Sequence, residues 1–80
     1  MLEQLLTAKK VVGLKQLRRA LADHSAVSVF LAENADPNLT QPLADACREQ
    51  SIDPIWVGSM AELGKACGIS IGAAAAAIVR

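Results

Sequence analysis

The chain has 80 residues, 52% of them apolar, and its eight basic and eight acidic side chains cancel. That length fits one hydrophobic core and one domain spanning residues 1–80, and the apolar content excludes a disordered chain. The start, Met1-Leu2-Glu3-Gln4, lacks the basic segment of a secretory signal, and no apolar run approaches the ~20 residues of a bilayer helix. The expectation is a soluble, cytoplasmic protein with no membrane partner.

The elements follow in chain order. Lys10-Val11-Val12 is a short strand candidate, and Leu14, Leu17 and Leu21 with Ala20 form an apolar stripe that predicts an amphipathic helix starting after Gly13. Ala26-Val27-Ser28-Val29-Phe30-Leu31-Ala32 and Ile55-Trp56-Val57 are continuous apolar runs bounded by turn residues, the pattern of fully buried strands. Between them a helix opens at Asp36-Pro37 or at Thr40, since Pro42 is expected only in a first turn. Leu39, Leu43, Ala46 and Cys47 recur at helical spacing until about Gln50. Strand, helix, strand implies a parallel crossover.

Ser59 predicts a cap for a further helix through Met60, Leu63 and Ala66, with Glu62 completing a capping box and Gly68 ending it in the left-handed conformation. Ala73 to Val79 is ambiguous. Alanine favours helix, yet the segment has no polar face and ends in Ile78-Val79, and the alternation of helices with buried strands calls for one more strand. Strand is the reading adopted, which makes the fold α/β, a small sheet between helices.

Zero net charge argues at first against a nucleic-acid partner. The distribution does not. Lys9, Lys10, Lys15, Arg18 and Arg19 fall within eleven residues that contain no acid, whereas Glu33, Asp36, Asp45, Glu49, Asp53 and Glu62 occupy the middle of the chain. On the helix after Gly13, Lys15, Arg18 and Arg19 share the face opposite the leucines, although such a strip is most often only a solvated surface.

No catalytic constellation stands out. His24 is the single histidine and reads as a helix-end or turn residue, and Glu33 and Asp36 read as capping groups. Cys47 and Cys67 lie in apolar surroundings without metal-ligand spacing and are expected to be reduced core residues. Phe30 and Trp56 are expected inside strands, so no aromatic platform for stacking bases is available. Neither metal nor cofactor is implied, and the chain is not expected to be an enzyme.

Four strings carry a family likeness. They are Gly13-Leu14-Lys15-Gln16; Ala32-Glu33-Asn34-Ala35-Asp36-Pro37; Ser59-Met60-Ala61-Glu62-Leu63-Gly64-Lys65-Ala66-Cys67-Gly68-Ile69; and Gly72-Ala73-Ala74-Ala75-Ala76-Ala77-Ile78. In this order they resemble the kink-turn-binding ribosomal-protein family of the seven-Ae and thirty-e type, nearest its short bacterial ribosomal-protein-like members.

The resemblance implies a three-layer α-β-α sandwich with a small mixed sheet. It also implies binding to RNA sharply bent at a bulge followed by tandem G·A pairs, in ribosomal or regulatory RNA, and the chain is expected to be a monomer. In that family the helix after the glycine enters the major groove at the G·A pairs, and the loop before the last strand covers the bulged nucleotides. The residues expected to meet RNA are then Gly13, Leu14, Lys15, Gln16, Arg18 and Arg19, with Lys65 and the loop Ile69, Ser70, Ile71 and Gly72. One of Ile69 and Ile71 is also expected to reach the core.

The chemistry is compatible. A glycine lets an RNA backbone approach, and the helix start offers free N–H groups and the positive dipole end. A kink opens the A-form major groove that side chains otherwise cannot read. Lys15 can donate to guanine O6 and N7, Gln16 can donate or accept at a base edge, and Arg19 suits phosphate or guanine. Archaeal members have Thr-Asn-Glu where this chain has Leu14-Lys15-Gln16, which removes a carboxylate acceptor. A second reading, prompted by the zero net charge and the acidic middle, is a protein-interaction module on the same fold with weak or no RNA binding.

Overall fold

The computed structural model describes residues 2–80. The chain runs α1 (Gln4–Thr7), β1 (Lys10–Val12), α2 (Leu14–Ala22), β2 (Ala26–Ala32), α3 (Pro37–Glu49), β3 (Ile55–Val57), α4 (Met60–Ala66) and β4 (Ala75–Val79). The sheet order is β1-β4-β2-β3, with β4 antiparallel to both neighbours and β2 parallel to β3. The sheet is therefore mixed, and the β2–α3–β3 unit is the expected parallel crossover.

Two-residue alternation distributes the strands' side chains to two cores. Val29 and Leu31 of β2 join Ala75 and Ala77 of β4 on one face, beneath Leu17 and Leu21 of α2 and Leu43 and Cys47 of α3. Phe30, Ala32 and Ala76 point the other way, against Leu5 of α1, Leu63 of α4 and Cys67. The three layers are α2 and α3, the sheet, and α1 and α4. Burying one such Leu or Phe contributes about 1.5–3 kcal/mol.

The alanine segment is strand, as its context predicted. Ala75, Ala76 and Ala77 are completely buried in a strand flanked on both sides and covered on both faces. There each alanine occupies little depth, so helices approach the sheet on either side, and this tertiary setting overrides helical propensity.

Several expectations are corrected. β3 is an edge strand and Trp56 is 38% exposed, not a core residue, because a three-residue apolar run does not reveal whether its strand is central or at the edge. Val27 is also exposed, at an irregularity in the β2–β4 register between Ala26 and Ser28, so β2 is not buried throughout.

In α3, Asp36 is the cap, accepting a hydrogen bond from the Asn38 N–H at 2.9 Å. Pro42 therefore lies in the second turn. The missing N–H leaves only the carbonyl of solvent-exposed Asn38 without its helical partner. The inward face of α3 carries Thr40, Leu43, Ala44 and Cys47, while Leu39 is exposed. The short helix α1 was not anticipated, and its Leu5 is fully buried.

Other local readings hold. Ser59 Oγ accepts from the Glu62 N–H at 3.1 Å, although among the described residues the Glu62 carboxylate makes no return bond to the Ser59 N–H, so the capping box is half formed; Gly68 has φ +81° just after α4, and His24 turns the chain after α2 with φ +55°. Cys47 and Cys67 are buried free thiols in the two separate cores, and burial pushes both thiols above their ordinary pKa. Among the described residues, no helix is long and apolar enough to cross a membrane.

Candidate nucleic-acid interface

Gly13 is the junction from which the candidate site is built. It stands between β1 and α2 at φ +115°, a backbone conformation that side-chain-bearing residues rarely adopt. Its N–H donates to the Ala75 carbonyl at 2.8 Å, and its own carbonyl accepts from the Leu17 N–H at 3.0 Å. The first bond fastens the start of α2 to the start of β4.

Because the cap is glycine, no side chain closes the helix start. Among the described residues, the backbone N–H groups of Leu14, Lys15 and Gln16 find no acceptor, as in any helix whose first turn lacks a capping side chain. The Gln16 side chain folds back so that its Oε1 lies where a Cβ on Gly13 would be. Leu14 is half-buried and packs on the α2–α3 core, whereas Lys15, Arg18 and Arg19 are exposed. Among the described residues, none of these three cations has a hydrogen-bonded or ion-paired side chain; the ion pair present is Arg48–Asp45, on α3.

The loop from Ile69 to Gly72 reaches the same end of the sheet, because it leads directly into β4. Its backbone is held inward. The Ile69 N–H donates to the Gly64 carbonyl at 3.0 Å, and the Ala73 N–H donates to the Met60 carbonyl at 3.0 Å. Gly64 on α4 has no Cβ, which leaves room for the Ile71 carbonyl, and Gly72 lies against Met60.

With its backbone turned toward the helix, the loop presents its side chains outward. Ile71 is 73% and Ile69 37% exposed, which corrects the expectation that one of them is a core residue. Ser70 and Gly72 are exposed beside them.

The structure thus gathers Gly13, Leu14, Lys15 and Gln16 with the Ile69–Gly72 loop at one end of the sheet. Arg18 is on the outer surface of α2. Arg19 sits further along that helix, in a cavity with Lys9, Asp23 and Arg80. Lys65 lies elsewhere, in a shallow depression with Leu2, Glu3, Leu6 and Glu62 between α1 and α4.

Asn34 is a contributor whose role its sequence context does not reveal. Its Oδ1 accepts from the Met60 N–H at 2.8 Å, which ties the turn after β2 to the start of α4 and so to the loop that α4 supports. The signal available was an amide in a turn near a helix start, too common to single out. Among the described residues, no three His, Cys, Asp or Glu side chains gather as a metal would require.

The family model described as "Ribosomal protein L7Ae/L30e/S12e/Gadd45 family" matches residues 2–80. The chain belongs to this family. Among its relatives, an RNA-binding protein of Geobacillus sp. strain WCH70 is 47% identical over 72 residues, covering 90% of this chain and 88% of that protein. The RNA-binding protein YbxF of Geobacillus stearothermophilus is 44% identical over 79 residues, 98% of this chain and 96% of its own. The large ribosomal subunit protein eL8 of Halobacterium salinarum is 34% identical over 84% of this chain, but only 57% of eL8 is matched.

Among solved structures, the Giardia lamblia 15.5kD RNA binding protein superposes with a TM-score of 0.87 at 26% identity, covering 99% of this chain and 70% of that one. The α-β-α fold and the family expected from the four strings are both upheld. The relatives named here are RNA-binding or ribosomal proteins rather than enzymes, in agreement with the non-enzymatic expectation.

Proposed function

We propose that this chain is an RNA-binding protein, acting as a single-domain monomer, that recognises kink-turns. One observation carries the reading. The bond from Gly13 N–H to the Ala75 carbonyl puts an uncapped, cationic helix start beside an exposed apolar loop at the same sheet end. A regular A-form duplex has no use for that pair of surfaces, since its major groove is closed to side chains and its bases are stacked.

A kinked duplex uses both. Its opened groove receives the first turn of α2, where Lys15 donates to guanine acceptors, the Gln16 amide bonds a base edge, and the free N–H groups bond RNA oxygens. Ile69 and Ile71 cover the unstacked bulge bases, removing apolar area of both partners from water. Arg18 and Arg19 neutralise phosphates on either side of the helix. The names of the relatives support the RNA class of ligand, and the family likeness supports the kink-turn within it.

The test is a mobility-shift titration of a kink-turn duplex against the same duplex with its tandem G·A pairs replaced by Watson–Crick pairs. Stronger retention of the kink-turn RNA is expected. Equal affinity for both would remove the kink-turn from the reading, and absence of binding to either would remove RNA.

A further inference from the structure

The cavity beside α2 has a charge pattern that groove reading does not use. It is an open depression of about 320 Å³ whose surface is mostly apolar, with Lys9, Gln16, Arg19, Asp23 and Arg80 among the residues around it. Three cationic residues and one acidic residue are thus gathered around one depression. Of these residues only Gln16 and Arg19 belong to the kink-turn reading.

The charged side chains around the cavity are exposed, but the backbone that carries two of them is fixed by the sheet. The Val79 N–H donates to the Lys9 carbonyl at 3.0 Å, closing the far end of the β1–β4 pair, and the Arg80 N–H donates to the Ser25 carbonyl at 3.0 Å. The Arg80 guanidinium is itself positioned, donating through Nη1 to the His24 carbonyl at 2.8 Å. That single bond uses one of five N–H donors, and the others have no partner among the described residues. Lys9 and Arg19 likewise have no side-chain partner among the described residues.

The direction of α2 connects this cavity to the proposed RNA site. The helix starts at Gly13, beside the first residue of β4, and runs back along the sheet toward Val79 and Lys9. Its nine residues cover about 13 Å. An RNA anchored at Gly13 and Gln16 and continuing along α2 brings several successive phosphates of one strand over this length.

We propose that the cavity seats the sugar–phosphate backbone of the RNA stem that runs along α2, with Lys9 and Arg80 joining Arg19 as phosphate contacts and Asp23 as an opposing charge. This deepens the kink-turn reading and rests on it. Lys9 and Arg80 read no base and extend the footprint without adding sequence preference. Asp23 repels the same phosphates and so limits how tightly the stem is held.

The experiment is a titration of a fluorescent kink-turn RNA between 50 and 200 mM salt with the full chain and the variants Lys9→Gln, Arg80→Gln, Asp23→Asn and Arg48→Gln. Lys9→Gln and Arg80→Gln are each expected to weaken binding roughly threefold or more and to flatten the plot of log K against log salt by about 0.7–0.9. Asp23→Asn is expected to tighten binding. Arg48→Gln, on α3 and already paired with Asp45, is expected to leave affinity and slope unchanged.

Lys9 makes no side-chain bond within the described residues, so its variant tests the contact even if Arg80→Gln disturbs the His24 turn. Unchanged slopes for Lys9→Gln and Arg80→Gln, or an equal effect of Arg48→Gln, would overturn this inference while leaving kink-turn binding intact. Failure of the unmodified chain to bind the RNA at all would overturn the kink-turn reading and this inference together.

Discussion

The carbonyl of Ile71 lies against the Cα of Gly64, so close that a Cβ on residue 64 would overlap the Ile71 oxygen. In an ordinary helix Gly→Ala gains about 1 kcal/mol of propensity. Here the obstacle is backbone, from Ile71 and Gly72, which cannot rotate away as a side chain could. Gly64→Ala is therefore expected to displace the loop and to cost about 1–3 kcal/mol, the usual range for overpacking. Kink-turn affinity should fall with it, because Ile69 and Ile71 lose their position. Chemical denaturation and RNA titration of the same variant check both effects; increased stability with unchanged affinity would show that the loop does not depend on Gly64.

Gly13 makes a different demand. Its φ of +115° resists any side chain, and the nearest obstacle to a Cβ is the flexible end of Gln16. Gly13→Ala is expected to destabilise by about 1–3 kcal/mol through backbone strain. The double variant Gly13→Ala/Gln16→Ala removes the side-chain overlap but retains the strain. It should recover little of the loss, and full recovery in thermal melts would assign the cost to Gln16 instead.

The two glycines also mark how far the sequence could be read. The strand in Ala73–Val79 was legible because the alternation of elements required it, and Leu14, Leu17 and Leu21 placed α2 by spacing alone. The cationic face of α2 was visible as residues without acids between them. The outward turn of Ile69 and Ile71 was not legible. It depends on an absent side chain at Gly64, which lets the loop backbone face inward, and local hydropathy favours burying such residues. Trp56 was misread for a related reason: a three-residue apolar run looks alike at the centre and at the edge of a sheet. Lys9, Asp23 and Arg80 are far apart in the chain, and the pairing of β4 with both β1 and β2, with α2 packed on the sheet, brings them to one cavity.

Asn34 offers a test of how the turn after β2 supports α4. Its Oδ1 takes the Met60 N–H, one of the donors a helix start leaves open. Asn34→Ala is expected to cost about 0.5–2 kcal/mol, as loss of a helix cap does. Asn34→Asp keeps the acceptor and adds negative charge at the positive end of the helix, so it should restore most of that stability. Equal losses in the two variants, measured by urea unfolding, would mean that the Asn34–Met60 bond does not act as a cap.

The buried thiols give the protein a dependence on alkaline pH whose sign follows from their environment. Burial raises the pKa of Cys47 and Cys67 above the ordinary thiol value of 9.0, while the unfolded chain keeps that value. Below about 9 both states hold these protons, and the thiols' contribution to stability is fully present. As pH rises past 9 the unfolded state releases its thiol protons first, and the contribution is lost as pH approaches the raised values of the folded state. Stability measured by urea unfolding between pH 8 and 10.5 should therefore decline, less steeply in Cys47→Ala/Cys67→Ala. That variant also leaves small cavities, which cost about 1 kcal/mol or more at every pH, so the slope is the decisive quantity and not the midpoint. An identical slope in the variant would show that other groups carry the alkaline response.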